Sequence, residues 1–462
     1  MRATDLIIRP HTRAAHASLR ASTSALPLVA ALAACVGQAT RPVPPHGDGP
    51  PPTVPGFEAP SAQEEVDPPA LALPDAWTLA DVEAVALAAH PSLAAASAEL
   101  VALQSEAANA ARRPNPNLSL EFEDVGGSGA FEGFDAAQIT LGVSQTFELG
   151  GKRARRQEVA EAGVARGQWA RVEARLSLLR DVRAAFYSAL AARERLALAA
   201  DDERLVDRIH AAVAERVDAG ATARSEERRA LVALSEARLT RMDAAQELDA
   251  ARAQLAELVG APVPAGGPVG DLSLLQGELD LSQLDARITT APALQRSASA
   301  LRELSALAAL ADAARSPDLD VGLGLRQYSD VDDHAFVISL GLPLRAFNSG
   351  ADLAAAARAR VVAERRRGEA TRRALRAEVA ALVARASAAR ATVELIEADV
   401  LPSVDGIVEA LELGYREGKR SLVEVLDAQR MRGDARVRHL EARIAHHLAR
   451  IEMETLLGTP TP

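Results

Sequence analysis

Two pairs of short segments with two-residue periodicity, set in an otherwise helical chain, constrain this fold more than any other feature. In the first pair Leu118, Leu120 and Phe122 alternate with Ser119, Glu121 and Glu123. After a glycine-rich loop, Ala137, Ile139, Leu141 and Val143 alternate with Gln138, Thr140, Gly142 and Ser144. Residues two apart share one face of a strand, so each segment has an apolar side and a polar or small side. The second pair repeats the pattern. Leu319, Val321, Leu323 and Leu325 alternate with Asp318, Asp320, Gly322 and Gly324, and Phe336, Ile338, Leu340, Leu342 and Leu344 then alternate with mostly small residues. One such hairpin fits an ordinary half-buried sheet. Two hairpins of segments about ten residues long match strands of a membrane barrel with a wet lumen. Strands are predicted over 117–123, 136–147, 318–326 and 334–344.

The intervening segments are helical in pattern. Thr78 is placed to cap a helix over 79–113, with Asp81 in its first turn and a break at Pro91. From Gly151 to about Asp218 there is no proline, which predicts a helix on the order of 100 Å long. Asp218-Ala219-Gly220 turns the chain, and a second helix runs to about Val259. Within it Ala230, Leu234, Ala237, Ala244, Leu248, Ala251, Leu255 and Leu258 follow 4,3 spacing, with Arg241 the one exception. Such a seam of small residues brings a partner helix close. Residues 260–282 are rich in Gly and Pro and mark a midpoint linker. The programme then repeats: Pro91 recurs as Pro292 and Pro116 as Pro317 at the same offset, and Gly220 as Gly418 at a nearly equal one. The chain is an internal duplication, 77–259 and 283–458, each half reading helix, two strands, very long helix, glycine turn, helix.

Composition supports this architecture and removes others. Aromatic residues make up 3% of the 462, too few for a large globular core and suited to alanine-rich helix-on-helix packing. The net charge is −11, and the cations are interleaved with anions rather than gathered into a nucleic-acid-binding face. After residue 40 no apolar run is long enough for a membrane-spanning helix. Residues 1–35 carry arginines followed by an apolar run, as in an export signal. Leu32-Ala33-Ala34-Cys35 resembles a lipobox, which would make Cys35, the chain's only cysteine, the lipidated first residue; the alternative is an incidental cysteine in a signal cleaved elsewhere. Residues 36–76 are rich in Pro and Gly and read as an extended tether.

Four strands cannot close a barrel in lipid, where open sheet edges are not tolerated. The chain must borrow strands from copies of itself, and three copies supply about twelve, enough for an open lumen. The long helices would form a tube below that barrel. The expected fold is therefore mainly α with a small β part: a helical coiled-coil tunnel, plus four strands per chain contributing to a trimeric 12-stranded transmembrane β-barrel.

The stretches ARRPNPNLSLEFEDVGGSGAFEGF, QTFELGGKR and YREGKRSLVEVLDAQR carry a resemblance to the TolC-type outer-membrane efflux family, most of all to its cobalt–zinc–cadmium resistance branch. The resemblance spans roughly residues 75–458. It implies a homotrimeric outer-membrane duct with no cofactor, its tunnel projecting into the periplasm. It also implies a periplasmic adaptor and an inner-membrane RND-type, proton-driven transporter as partners, and heavy-metal cations as cargo. By the same resemblance Tyr415 and Arg420 match residues that latch helix pairs at the periplasmic end. Glu424 and Asp427 match the acidic constriction ring, Glu424 standing where aspartate is commoner. Three copies of two carboxylates in a narrow pore would favour cations on physical grounds as well; the bland alternative is a pair of acids at a helix start, where the dipole favours them. The turn residues Asp218, Gly220, Gly418 and Lys419 are expected to meet the adaptor. The same architecture serving drug efflux or type I secretion, and a poreless periplasmic scaffold, remain the competing readings.

Nothing in the sequence points to an enzyme. No phosphate-binding loop, dinucleotide fingerprint, HExxH or nucleophile elbow occurs in the right context. His439, His446 and His447 lie close together on the last helix without the carboxylates or cysteines of a metal site, and are expected to be solvated or seam histidines.

Overall fold

A computed structural model describes residues 75–264, 266–273 and 284–458. The export signal with Cys35, most of the tether and the end of the midpoint linker lie outside the described residues.

Helix α1 spans Leu79–Ala89. Thr78 caps it through a reciprocal box: its side chain accepts from the Asp81 amide, and its own amide donates to Asp81 Oδ2 at 2.9 Å. This satisfies two of the amides that a helix start leaves unpaired. His90 ends α1 and caps α2, Pro91–Ala110, the two axes meeting at 43°. The helix predicted over 79–113 with a break at Pro91 is thus two helices joined there, the second ending at Ala110. Strands β1 (Asn117–Glu123) and β2 (Gln138–Phe147) follow. Next come α3, Lys152–Asp218, unbroken over 67 residues, and α4, Arg224–Val259.

The second half repeats the order with α5 (Leu284–Thr290), α6 (Pro292–Ala313), β3 (Leu319–Tyr328) and β4 (Asp333–Gly341). Its long helix starts as α7 (Ala351–Leu395), passes through a π turn at Ile396–Val400, and continues as α8 (Leu401–Arg416). Helix α9, Leu422–Leu457, completes the chain. The π turn has a local cause: Pro402 has no amide to donate and its ring crowds the preceding turn, so the ladder widens and the Leu401 amide donates to the Ile396 carbonyl. Strand β4 stops at Gly341, short of the predicted 344, because Pro343 cannot continue a ladder.

The alanine seam behaves as its spacing predicts. Ala230, Leu234, Ala237, Ala244, Leu248 and Leu255 are buried along α4. Arg241 escapes the seam by reaching Glu203 on α3, Nε to Oε2 at 2.5 Å. Gly167 in the middle of α3 marks a close approach of α2, since a Cβ there would sit 2.5 Å from Leu103 Cδ1. The main core surrounds the middle of α3, where Val182, Phe186 and Leu190 meet Trp77, Val82, Leu255, Leu272 and Leu440. A second cluster, built on Leu375, Val379 and Met453, occupies the corresponding place in the other half. Trp77 is strapped to the midpoint segment, its amide donating to the Gly267 carbonyl at 3.1 Å and its carbonyl accepting from Val269 at 2.8 Å.

All four strands form one antiparallel sheet in the order β1-β2-β3-β4. Its register aligns side chains in rows across the strands. Leu118, Val143, Leu323 and Ile338 form one row, and Leu120, Leu141, Leu325 and Phe336 the next. The other face carries Glu121, Thr140, Arg326 and Ala335 in one row and Ser119, Gly142, Gly324 and Val337 in another.

Candidate functional site: the hairpin turns and the open sheet

The two helical hairpins end in the same turn, made twice. In the first, the Ala221 amide donates to the Arg216 carbonyl at 2.8 Å and Gly220 to Val217 at 2.9 Å. In the second, Lys419 donates to Gly414 at 2.8 Å and Gly418 to Tyr415 at 3.0 Å. These are paired Schellman closures, which need a left-handed residue just past the helix. Glycine supplies it in both, with φ of 69° at Gly220 and 76° at Gly418. Asp218, Gly220, Gly418 and Lys419 are all exposed on these turns. Lys419 pairs with Glu417, at 2.7 Å.

Behind the turns a small core of Val213, Ala230, Tyr415, Leu422 and Val425 binds the two hairpins together. Tyr415 is buried here, and Arg216 of the first hairpin covers it. The guanidinium lies 4.8 Å from the ring centroid, and its Nη1 donates to the Tyr415 carbonyl at 2.7 Å. Burial, and next the Glu226 carboxylate, push the Tyr415 phenol above its ordinary value. Tyr415 and Arg420, paired as a latch in the sequence reading, make separate contacts within the chain. Arg420 is exposed and reaches Glu424, Nη1 to Oε1 at 3.2 Å. Sequence alone does not single out Arg216, since its contact joins positions 199 residues apart; its place at the first turn is the only signal.

Glu424 opens α9 as the acidic partner of a capping box. Its Oε2 accepts from the Ser421 amide at 2.8 Å and from the Ser421 hydroxyl at 3.0 Å. Those two bonds, the amide's first, hold its carboxyl below the usual range, with Arg420 adding in the same direction. Asp427 lies one turn along. It is exposed and lines a cleft of about 680 Å³ between α3, α4 and α9, together with Arg229, Glu236 and Arg430. Asp202 also lines that cleft, and burial raises its carboxyl above the ordinary value.

The three histidines are occupied. His439 meets Glu397 of the π turn at 2.8 Å. His446 and His447 are buried, one ring nitrogen of each at 3.0 and 3.1 Å from the carbonyls of Ala386 and Leu272. His447 also stacks on Tyr187, with centroids 4.6 Å apart. Among the described residues no group of three His, Cys, Asp or Glu is arranged to hold a metal ion.

The sheet is the other unusual surface. Its apolar rows face outward uncovered, with Leu118, Phe336, Ile338 and Leu340 each more than 70% exposed. Among the described residues its outer strands β1 and β4 have no neighbour on their far sides. The opposite face is held by polar contacts centred on Arg326, which donates to Thr140 and Gln138 at 2.9 Å each and pairs with Glu123 at 2.5 Å. No single helix among the described residues is long and apolar enough to cross a membrane; only α1 and α2 taken as a bent pair pass by composition, and α1 packs its Val82 and Ala86 into the core.

A duplicated helical hairpin joined to one four-stranded sheet, apolar on one face, polar on the other and open at both edges, is the architecture of an outer-membrane efflux channel. The chain belongs to the outer membrane efflux protein family, which it matches over residues 84–261 and 284–459. It is 28% identical over 386 residues to the cobalt-zinc-cadmium resistance protein CzcC of Cupriavidus metallidurans, covering 82% of this chain and 90% of that one. It is 29% identical over 285 residues to the nickel and cobalt resistance protein CnrC of the same organism, covering 60% and 67%. Among solved structures it superposes on CusC with a TM-score of 0.71 at 19% identity, over 83% of this chain and 92% of that one. For the open-state outer-membrane channel MtrE of Neisseria gonorrhoeae the score is 0.69 at 20% identity, with 82% and 89% covered.

Proposed function

We propose that three copies of this chain close their sheets into one twelve-stranded barrel and export heavy-metal cations. The observation that carries this reading is the sheet: four strands with continuous exposed apolar rows and two open edges. Neither feature is tolerated in water or lipid until the edges pair. Relatives named for resistance to cobalt, zinc, cadmium and nickel support the cargo. The chain acts as a passive conduit. Its four methionines and single cysteine are too few for a soft-ligand relay, so selection falls to its pump.

In this reading the hairpin turns lie at the periplasmic end. Asp218, Gly220, Gly418 and Lys419 meet a periplasmic adaptor, which links the duct to an inner-membrane RND-type transporter. Glu424 and Asp427, repeated three times, form the acidic constriction, while Tyr415 and Arg420 hold the tips closed. Cys35 is lipidated and anchors the chain to the outer membrane. The test is the oligomeric mass and single-channel conductance of the detergent-extracted protein. A trimer forming cation-selective pores supports the proposal; a monomer or dimer that never conducts overturns it. Replacing Tyr415 and Arg420 together should raise conductance, and unchanged conductance removes the latch.

A further inference from the structure

The end of the sheet where β1 and β3 begin and β2 and β4 end is also where the helices leave it. Five arginines gather there in sequence: Arg112 and Arg113 before β1, Arg153 after β2, Arg315 before β3 and Arg345 after β4. Strands rise about 3.3 Å per residue, so all five lie within a short distance of the last apolar row. Their neighbours Lys152, Arg155 and Arg156 are neutralised by Asp318, Glu158 and Glu148. None of the five makes a close ion pair among the described residues; Arg315 lies near Asp312, whose carboxylate is already bonded to Arg358. Two of them converge: a Cβ on Gly350 would stand 3.4 Å from Arg315 Cγ and 3.7 Å from Arg345 Nη1. Arg345 Nη2 also donates to the Ser316 carbonyl at 3.4 Å. Arg156 fixes the segment bearing Arg112 and Arg113 by donating to the carbonyls of Ala110 and Arg112, both at 3.3 Å.

Large apolar side chains stand exposed at the same level, Leu342, Leu344 and Phe347 among them, and Phe347 has no cover at all. Apolar side chains beside long cations, in one band, suit the boundary between acyl chains and headgroups. The far end of the sheet has the opposite charge. Its connecting loops, 124–137 and 329–332, carry Asp124, Glu132, Asp135, Asp330 and Asp332 and no Lys or Arg, and Arg326 nearby is paired with Glu123.

We propose that this arginine collar binds the phosphates of anionic phospholipids in the leaflet facing the helical tunnel. The inference rests on reading the sheet as membrane-spanning, and it adds a lipid class and a depth marker to that reading. The occupant is chosen by charge complementarity and by the apolar band, which an aqueous acidic protein would leave uncovered. Each cation near an anionic surface contributes on the order of a fivefold preference, and the preference weakens with salt as exposed charges are screened.

The experiment places the full-length protein in nanodiscs of phosphatidylethanolamine with phosphatidylglycerol and counts retained lipids by native mass spectrometry, with conductance measured in parallel. The wild type should retain phosphatidylglycerol over phosphatidylethanolamine by about tenfold or more. R112Q/R113Q/R315Q/R345Q should fall towards parity, and the four corresponding lysine substitutions should keep the preference. Pores that conduct normally without any lipid preference, or a preference unchanged in the glutamine variant, overturn the collar. Protein that neither inserts nor conducts would instead remove the membrane reading of the sheet.

Discussion

Arg216→Met isolates the contact that joins the two hairpin tips. Methionine keeps an apolar stem over Tyr415 but removes the charge. The wild-type guanidinium contributes a charged hydrogen bond to the Tyr415 carbonyl at 2.7 Å and a cation–π contact at 4.8 Å. Such a hydrogen bond is worth roughly 1.5–3 kcal/mol and the ring contact about 0.5–1 kcal/mol where water still reaches the site. Arg216 is half-buried, so the low end of the sum applies, about 2 kcal/mol per protomer, or roughly a 30-fold shift in tip opening. Amide hydrogen exchange at residues 213–222 and 411–421 should accelerate by about that factor, and pores in planar bilayers should spend more time at high conductance. The cycle with Tyr415→Leu refines the argument. Only the ring contact should couple, by about 0.5–1 kcal/mol, because the hydrogen bond is to backbone and survives the loss of the ring. Unchanged exchange and conductance in Arg216→Met, or a coupling equal to its whole effect, would refute the reasoning.

Gly220→Ala and Gly418→Ala meet no neighbouring atom within 4 Å, so each should cost only the left-handed backbone penalty, about 1–2 kcal/mol; thermal unfolding should show the two losses to be equal. Ser421→Ala removes half of the capping box and should cost about 0.5–1 kcal/mol at this exposed helix start, read as faster exchange in the first turn of α9. The Glu424 carboxyl is held below its ordinary 4.5. Its contribution is therefore complete above that pH and is lost as the pH falls through the lower value of the folded chain, so the protection of that first turn, taken relative to the intrinsic exchange rate at each pH, should weaken there and stay level between pH 6 and 8.

Much of this architecture is legible in the sequence because its periodicities are long and uninterrupted. The 4,3 spacing from Ala230 to Leu255 can be satisfied only by one helix face, and alternation over Leu118–Phe122 only by a strand. The proline and glycine offsets place both turns and both helix starts. What sequence leaves out is local competition and distant pairing. Pro402 would ordinarily break a helix, but a π turn lets the helix continue past it. Pro343 ended β4 before the alternation did. The partners of Tyr415 and Arg420 depend on how two hairpins lie side by side, which brings Arg216 to one and leaves the other, in the turn, to Glu424 in the first turn of α9.

The two open edges of the sheet differ, one being β1 and the other β4. In the three-copy barrel proposed above, each seam joins unlike edges head to tail, and the ring closes only when every seam is sound. One chain with a spoiled β4 edge therefore disables its two healthy companions. A cell expressing normal and edge-damaged chains in equal amounts would keep roughly one ring in eight intact. Mutations at β4 should accordingly behave as dominant negatives, and loss of the whole chain should be recessive.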